Sequence, residues 1–322
     1  MPSKRRKKKK KKSSPALDYV LYLLLRLVST VLHMLPLEVA MKLASFVGDI
    51  MYRVDKRHYD RSMENLRACF PGQPERVYER LTRDSFRLFP LLGVEVMLTP
   101  RYVKLNRLKR HFVLGERVGE VLKIMARQDR GCILVTAHYG NWEVLGYMLA
   151  EMGFGLTAVA RVLDNPHINA YVLGVREKNG AQIVDKRGAM SVVPKMLDER
   201  KPVGFTADQD AGKKGMFVNY FNRPASTFKS IGLLAMKYDV PIVCGVARRL
   251  GYDFRFHIDN DVIHPEEWHD EQDPLRYVTQ RYTSALETLV RKEPGQYLWI
   301  HRRWKTQPED VVRKNRPAAA HP

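Results

Sequence analysis

The chain has 322 residues, 45% hydrophobic and 28% charged, which provides enough apolar mass for a packed core and excludes global disorder. Lys and Arg number 55 against 35 Asp and Glu, a net charge of +20, and nine of those positive charges lie between Lys4 and Lys12. The remainder is still basic and favours anionic partners such as phosphates, anionic lipid or an acidic protein. Three cysteines, Cys69, Cys132 and Cys244, stand far apart with no CxxC pair, which argues against a disulfide framework and fits a reducing compartment.

By composition, residues 1–15 form a disordered basic tail: like charges repel and no apolar surface offsets chain entropy. Residues 16–35, "ALDYVLYLLLRLVSTVLHML", are long enough for a membrane helix, too long for a signal-peptide core, and lack a small-residue cleavage site. Asp18, Arg26 and His33 interrupt the run, and a mid-helix arginine costs about 2.5–3.5 kcal/mol on insertion scales. Tyr19, Tyr22, Arg26, Thr30 and His33 recur at steps of three and four, so they share one face of a helix that is otherwise Leu and Val. This predicts a membrane-associated helix with one polar stripe, either spanning the bilayer or lying in its interface. The basic tail beside it would bind anionic lipid and keep the N-terminus cytoplasmic. No nucleic-acid-binding motif is present in the body, and no nucleic-acid partner is expected.

Residues 36 to about 128 read as helical, with apolar side chains at three- and four-residue steps in "PLEVAMKLASFVGDIMYRV", "RSMENLRACF", "ERVYERLTRDSFRLFPLLGVEVM" and "VGEVLKIMARQDR". From about 129 the rhythm changes to short β-rich runs: "CILVTA", "GLTAVA", "AQIVD", "PVGFTAD", "PIVCGVARR" and "FRFHI". Helical patterns separate several of them, at 142–152, 166–179, 190–200 and 228–238, and a last helix covers 275–292. Continuous apolar strands alternating with helices predict an α/β fold with a mostly parallel sheet flanked by helices. Ligands of such sheets bind beyond the carboxyl ends of the strands.

The strand "CILVTA" runs into "HYGNWE", so His138 falls at a carboxyl end. Gly140 permits a sharp turn, and Asn141 is a good N-cap for a helix that begins at Trp142 with Glu143 in its first turn. Within one helix, positions five apart diverge by about 140°. The intervening turn lets His138 and Glu143 converge, and a carboxylate beside an imidazole favours and orients its protonated form. Such a pair is equipped for general-base removal of a proton from an alcohol or amine. The alternative is a loop histidine and a helix-start acid favoured by the dipole.

"HYGNWE" resembles the H-x4-E/D signature of the late acyltransferases of lipid A biosynthesis, of lauroyl and myristoyl type, and of the related phosphatidylinositol mannoside acyltransferases. Further pieces resemble that family in the same order: "VARVLDNP" from Val159, "GFTADQD" from Gly204, "FVNYFNRPAS" from Phe217 and "QYLWIHRRWK" from Gln296. The resemblance covers about residues 16 to 305 and implies a glycerolipid-acyltransferase-like domain over 36–310, with 311–322 a flexible end. Asn222 stands where members commonly have glycine in "FFGxPA".

The resemblance implies His138 as base and Glu143 as its partner, with direct transfer and no acyl-enzyme. The absence of a GxSxG elbow agrees. Arg161, after a strand, is suited to a phosphate, or else pairs with Asp164. Asp208 and Asp210 could pair with Arg161, orient His138 or bind substrate hydroxyls, and Asn141, Arg302 and Arg303 are further substrate-binding candidates. Arg302, Arg303 and Lys305, with Trp299 and Trp304, could meet an anionic headgroup or an acyl carrier protein, or form a solvated face. Phe217, Tyr220 and Phe221 could line an acyl channel or be core. Backbone amides around Gly140 are candidate oxyanion donors. No metal and no cofactor are expected; acyl-ACP or acyl-CoA is a co-substrate. The implied function is O-acyl transfer to a hydroxyl of a lipid A precursor at the cytoplasmic face of the inner membrane. The alternatives are another phospholipid or glycolipid acceptor, or a non-catalytic membrane-binding member of the fold.

Overall fold

The computed structural model describes residues 14–178 and 181–315. The expected basic tail therefore lies outside the described residues except at its last two positions. The N-terminal half is helical: α1 (Pro15–Met34), α2 (Leu37–Val54), α3 (Lys56–Cys69), α4 (Glu75–Tyr102) and the short α5 (Leu108–His111). Ser14 caps α1 by accepting from the Leu17 amide, and Pro15 follows at its first turn.

The remainder is α/β: β1 (Phe112–Leu114), α6 (Val118–Arg127), β2 (Cys132–Thr136), α7 (Trp142–Glu151), β3 (Thr157–Ala160), α8 (Pro166–Glu177), β4 (Gln182–Asp185), α9 (Ala189–Asp198), β5 (Pro202–Thr206), β6 (Met216–Tyr220), β7 (Arg223–Thr227), α10 (Lys229–Tyr238), β8 (Ile242–Arg249), β9 (Phe256–Ile263), α11 (Pro274–Arg291) and α12 (Pro308–Asn315). The seven-stranded sheet has the order β1-β9-β8-β2-β5-β3-β4. All neighbours pair in parallel except β8 with β9. It is the mostly parallel, helix-flanked sheet that the alternating pattern predicts, with one core cluster on each face. Ile133, Val135 and Val203 face one core; Cys132 and Val243 face the other. This explains the unbroken apolar runs, since both faces of each central strand are covered.

Three details depart from the sequence reading. The edge strand β1 comes from residues read as helical, and at three residues it is too short to leave a periodicity. The expected flexible end at 311–322 begins as the last turns of α12, and residues 316–322 lie outside the described residues. The stretch read as acyl-channel lining is a β-hairpin, in which Phe221 and Asn222 both take positive φ, 52° and 58°, between Tyr220 and Arg223. Positive φ at both central residues marks a type I′ turn, and Asn tolerates that geometry better than most residues, which accounts for Asn222 where glycine is common.

The order of the central strands fixes the site. β2 and β5 are adjacent and in register from Cys132 opposite Pro202 to Thr136 opposite Thr206. The residues two beyond each strand, His138 and Asp208, therefore emerge side by side at the same carboxyl edge.

Candidate active site

His138 and Asp208 make a two-point contact. The His138 backbone N–H donates to Asp208 Oδ2 at 2.9 Å, and Nδ1 lies 2.7 Å from Oδ1. Asp208 is 3% exposed. Burial disfavours its charge, but the imidazole's charge and hydrogen bond prevail and bring the carboxyl down to about 2. With Asp208 ionised, Nδ1–H donates to it, so in the neutral ring Nε2 is the nitrogen with the lone pair. For His138 burial again opposes charge, while Asp208, with a contribution from Glu143, outweighs it and raises the pKa. Trp142 presents its ring at 4.9 Å and 68° to the imidazole.

Glu143 holds a different partner. It accepts from Arg176 Nε at 2.8 Å and Nη2 at 2.5 Å, a bidentate pair between the start of α7 and the end of α8. The carboxylate hydrogen-bonded to His138 is thus Asp208, one of the roles considered for it, and Glu143 acts on the ring through space. The cause is topological: Asp208 follows the strand next to β2, whereas Glu143 is carried outward on the first turn of α7.

Two residues absent from the sequence reading close around the imidazole. Gln209 Nε2 lies 3.4 Å from His138 Nε2, and the His301 ring lies 4.8 Å from it, tilted by 31°. Burial, with the nearby His138 charge, pulls His301 down to about 4, so it stays neutral beside the dyad. The only sequence signal for His301 was its place in "QYLWIHRRWK"; Gln209 was hidden between two more conspicuous aspartates.

The turn after β2 is locked from three sides. Gly140 takes φ +53°, and a Cβ there would meet the Ala247 oxygen at 2.0 Å. Its N–H donates to Gln296 O, the Asn141 N–H to Ala247 O, and the Tyr139 N–H to Ala137 O. These three amides are occupied, so none of the three is free to serve as the oxyanion donor expected around Gly140. Asn141 is fully buried, caps α7 through the Val144 amide and donates to Glu95, so it supports the turn and does not reach a ligand.

The other candidates separate by burial. Arg303 is 2% exposed and donates to the carbonyls of Gln209 and Ser226 and to Thr227 Oγ1. It pins the dyad loop to β7 from inside and is no headgroup contact; Trp299 and Trp304 are buried with it. Asp210 accepts from the Thr306 amide and hydroxyl, tying down the C-terminal segment. Arg302 and Lys305 remain exposed. Tyr220 and Phe221 are core residues packed against Phe70, Trp299 and Trp304, and neither they nor Phe217 line the apolar cavity beside the dyad.

The apolar channel lies elsewhere. A cavity of about 790 Å³ opens beside the dyad and is walled by Leu134, Leu145, Leu149, Leu156, Val243 and Ile258, among others. His138, Trp142, Glu143, Arg161, Arg176 and Gln209 are among its polar members. Arg161 is exposed there, 3.3 Å from Asp164. The volume suits an alkyl chain. Burial pushes the thiols of Cys69 and Cys132 up to about 12, so neither offers a thiolate for a covalent intermediate. Among the described residues no group of three or more His, Cys, Asp or Glu could hold a metal ion.

A family model described as bacterial lipid A biosynthesis acyltransferase matches residues 7–306. The lipid A biosynthesis lauroyltransferase of Escherichia coli K12 is 26% identical over 281 residues, 86% of this chain and 89% of that protein. The lipid A biosynthesis palmitoleoyltransferase of the same organism is 25% identical over 283 residues, 85% of this chain and 87% of that protein. The crystal structure of a 1-acyl-sn-glycerophosphate acyltransferase from Thermotoga maritima covers 78% of this chain and 95% of that one, at 14% identity and a TM-score of 0.36.

Proposed function

We propose, from the premise that this chain belongs to the bacterial lipid A biosynthesis acyltransferase family and is an acyltransferase, that it moves a fatty acyl group from an acyl thioester to a hydroxyl of a lipid A precursor, with His138 as general base. The observation that carries this reading is the His138–Asp208 dyad opening onto an apolar cavity. His138 Nε2 takes the proton of the acceptor hydroxyl, and Asp208 stabilises the resulting imidazolium. The oxygen attacks the thioester carbonyl and forms a C–O bond; the C–S bond breaks, and the thiolate leaves with the proton from His138. Charge developing on the carbonyl oxygen meets Arg176, which Glu143 fixes in the same cavity. An exposed Arg161 at the rim suits a phosphate of the donor or acceptor. Acyl carrier protein is the proposed donor carrier and coenzyme A the less favoured one.

We further propose that the chain lies on the cytoplasmic face of the inner membrane. α1 is long and apolar enough to cross a bilayer. Its polar stripe, however, docks on α8: Ser29 bonds Tyr171 at 2.8 Å, Asn165 donates to the Asp18 carbonyl, and Tyr19 and Tyr22 meet His167. The opposite face exposes Leu17, Val20, Leu24, Leu27, Val28 and Val31, and α2 continues it with Val39, Leu43, Phe46 and Ile50. Covering such a face is worth on the order of 10 kcal/mol at about 1.5–3 kcal/mol per large apolar side chain fully buried. A helix held flat against the domain by its polar stripe favours insertion into the interface over spanning.

Purified chain incubated with acyl-ACP and a lipid A precursor should yield a product heavier by one acyl group in mass spectrometry. No such product from either acyl-ACP or acyl-CoA would reject the proposed acceptor. Leu24→Glu with Leu27→Glu, both at exposed positions, should shift the protein from membrane to soluble fractions in a flotation assay while its melting temperature changes little. Unchanged flotation would remove α1 as the anchor.

A further inference from the structure

A second cavity, of about 600 Å³, lies between α1, α4 and α8 and has no part in the chemistry above. Tyr22, Arg26, His33, His167, Tyr171 and Lys178 supply its polar lining, and no carboxylate lines it among the described residues. It is therefore a cationic cavity placed against the helix that offers its other face to lipid. Arg26 is central. Its guanidinium lies 5.5 Å from the Tyr171 ring centroid and donates to Tyr22 at 3.2 Å. Arg26 is an exposed cation on the polar stripe of α1, with the Tyr22 and Tyr171 rings beside it and no carboxylate among the cavity's lining residues.

The cavity also adjoins the reaction cavity. Val175 lines both, and α4 turns Val96 and Thr99 into the first and Met97 and Pro100 into the second. Arg176, which holds Glu143, is the next residue of the shared wall. A headgroup long enough to straddle α8 could keep one end here while its hydroxyl stands at His138.

We propose that this cavity binds a phosphate group of the lipid acceptor's headgroup, with Arg26 and Lys178 as the charged contacts. The proposal rests on the acyltransferase reading for the identity of the lipid, but its test does not require turnover. In the His138→Ala background, the full chain in detergent micelles is titrated with a phosphorylated lipid A precursor and with the same lipid after phosphatase treatment. The phosphorylated form should bind at least about tenfold more tightly, a preference that weakens with salt. Arg26→Gln with Lys178→Gln should abolish the preference, and Arg26→Lys with Lys178→Arg should restore most of it. Lys178→Gln alone, at an exposed helix end, serves if the double variant folds poorly. A preference that survives neutralisation, or no preference in the parent, overturns the assignment. Equal occupancy by inorganic phosphate, measured by its displacement of the lipid at millimolar concentration, makes this a free-anion site and overturns the lipid assignment. Turnover by the chain with His138 intact, without discrimination in the His138→Ala background, defeats this inference alone, whereas discrimination there without turnover of any acceptor by the chain with His138 intact defeats the acyltransferase reading alone.

Discussion

Asp208→Asn is expected to lower kcat by about 10³–10⁴, close to the loss in His138→Ala, while the protein stays folded. The substituted side chain would present an amide N–H to Nδ1 and force the proton onto Nε2, the wrong tautomer for a base. Glu143→Gln should cost less, about 10–100-fold, because Glu143 touches the imidazole only through its charge and fixes Arg176 instead. The order of these losses discriminates between the two carboxylates: if Glu143→Gln is as damaging as His138→Ala and Asp208→Asn is mild, Glu143 is the operative partner and the dyad is a structural contact.

The pH profile provides an independent check. The base form of His138 acts, so kcat/KM falls on the acid side of its pKa. Asp208 raises that pKa, hence residual activity in Asp208→Asn should show its acid limb at lower pH than the parent enzyme. The linked stability effect has the opposite profile for the aspartate. Its folded-state pKa is depressed to about 2, so its contribution is present above the ordinary carboxylate range and is lost as pH falls through about 2. An acid limb that does not move on losing Asp208 would mean that another group sets it.

The fold was legible because its signals are local and repeated. Runs such as "CILVTA" and "PVGFTAD", separated by helical stretches, specify strand–helix alternation without reference to tertiary contacts. His138 was legible for the same reason, since an apolar strand ending in a polar residue and a glycine marks a carboxyl edge. Strand order was not. No local pattern says that β5 inserts between β2 and β3, and that insertion decides that Asp208 rather than Glu143 reaches the ring. Burial of polar residues misled the reading in the same way. Arg303 stands in a basic run that looks solvated, and only the folded chain reveals three acceptors around it. Tyr220 and Phe221 carry the composition of a channel wall, but the hairpin turns them into the core.

Glu95→Ala is expected to destabilise the protein by about 3–5 kcal/mol, a fall in melting temperature on the order of 10 °C. Glu95 is fully buried in the C-terminal half of α4 and accepts from Arg249 Nε, from Arg249 Nη2 at 2.6 Å and from Asn141 Nδ2 at 2.9 Å. Removing it leaves the Arg249 guanidinium buried without a counter-charge, the most damaging way to break such a pair. Glu95→Leu combined with Arg249→Met removes both charges and should recover most of the lost stability, because the desolvation cost disappears with the attraction. Activity should not recover in parallel. Asn141 then lacks its acceptor at the turn that carries His138, and loss of a fixed catalytic geometry lowers kcat even in a stable fold. The two readouts therefore separate what this buried pair does. If the apolar double variant regains both melting temperature and kcat, the pair serves stability alone, and Asn141 is positioned by its cap on Val144 and its bond to Ala247. If stability returns and kcat stays low, Glu95, whose neighbours on α4 line both cavities, holds the catalytic turn in place.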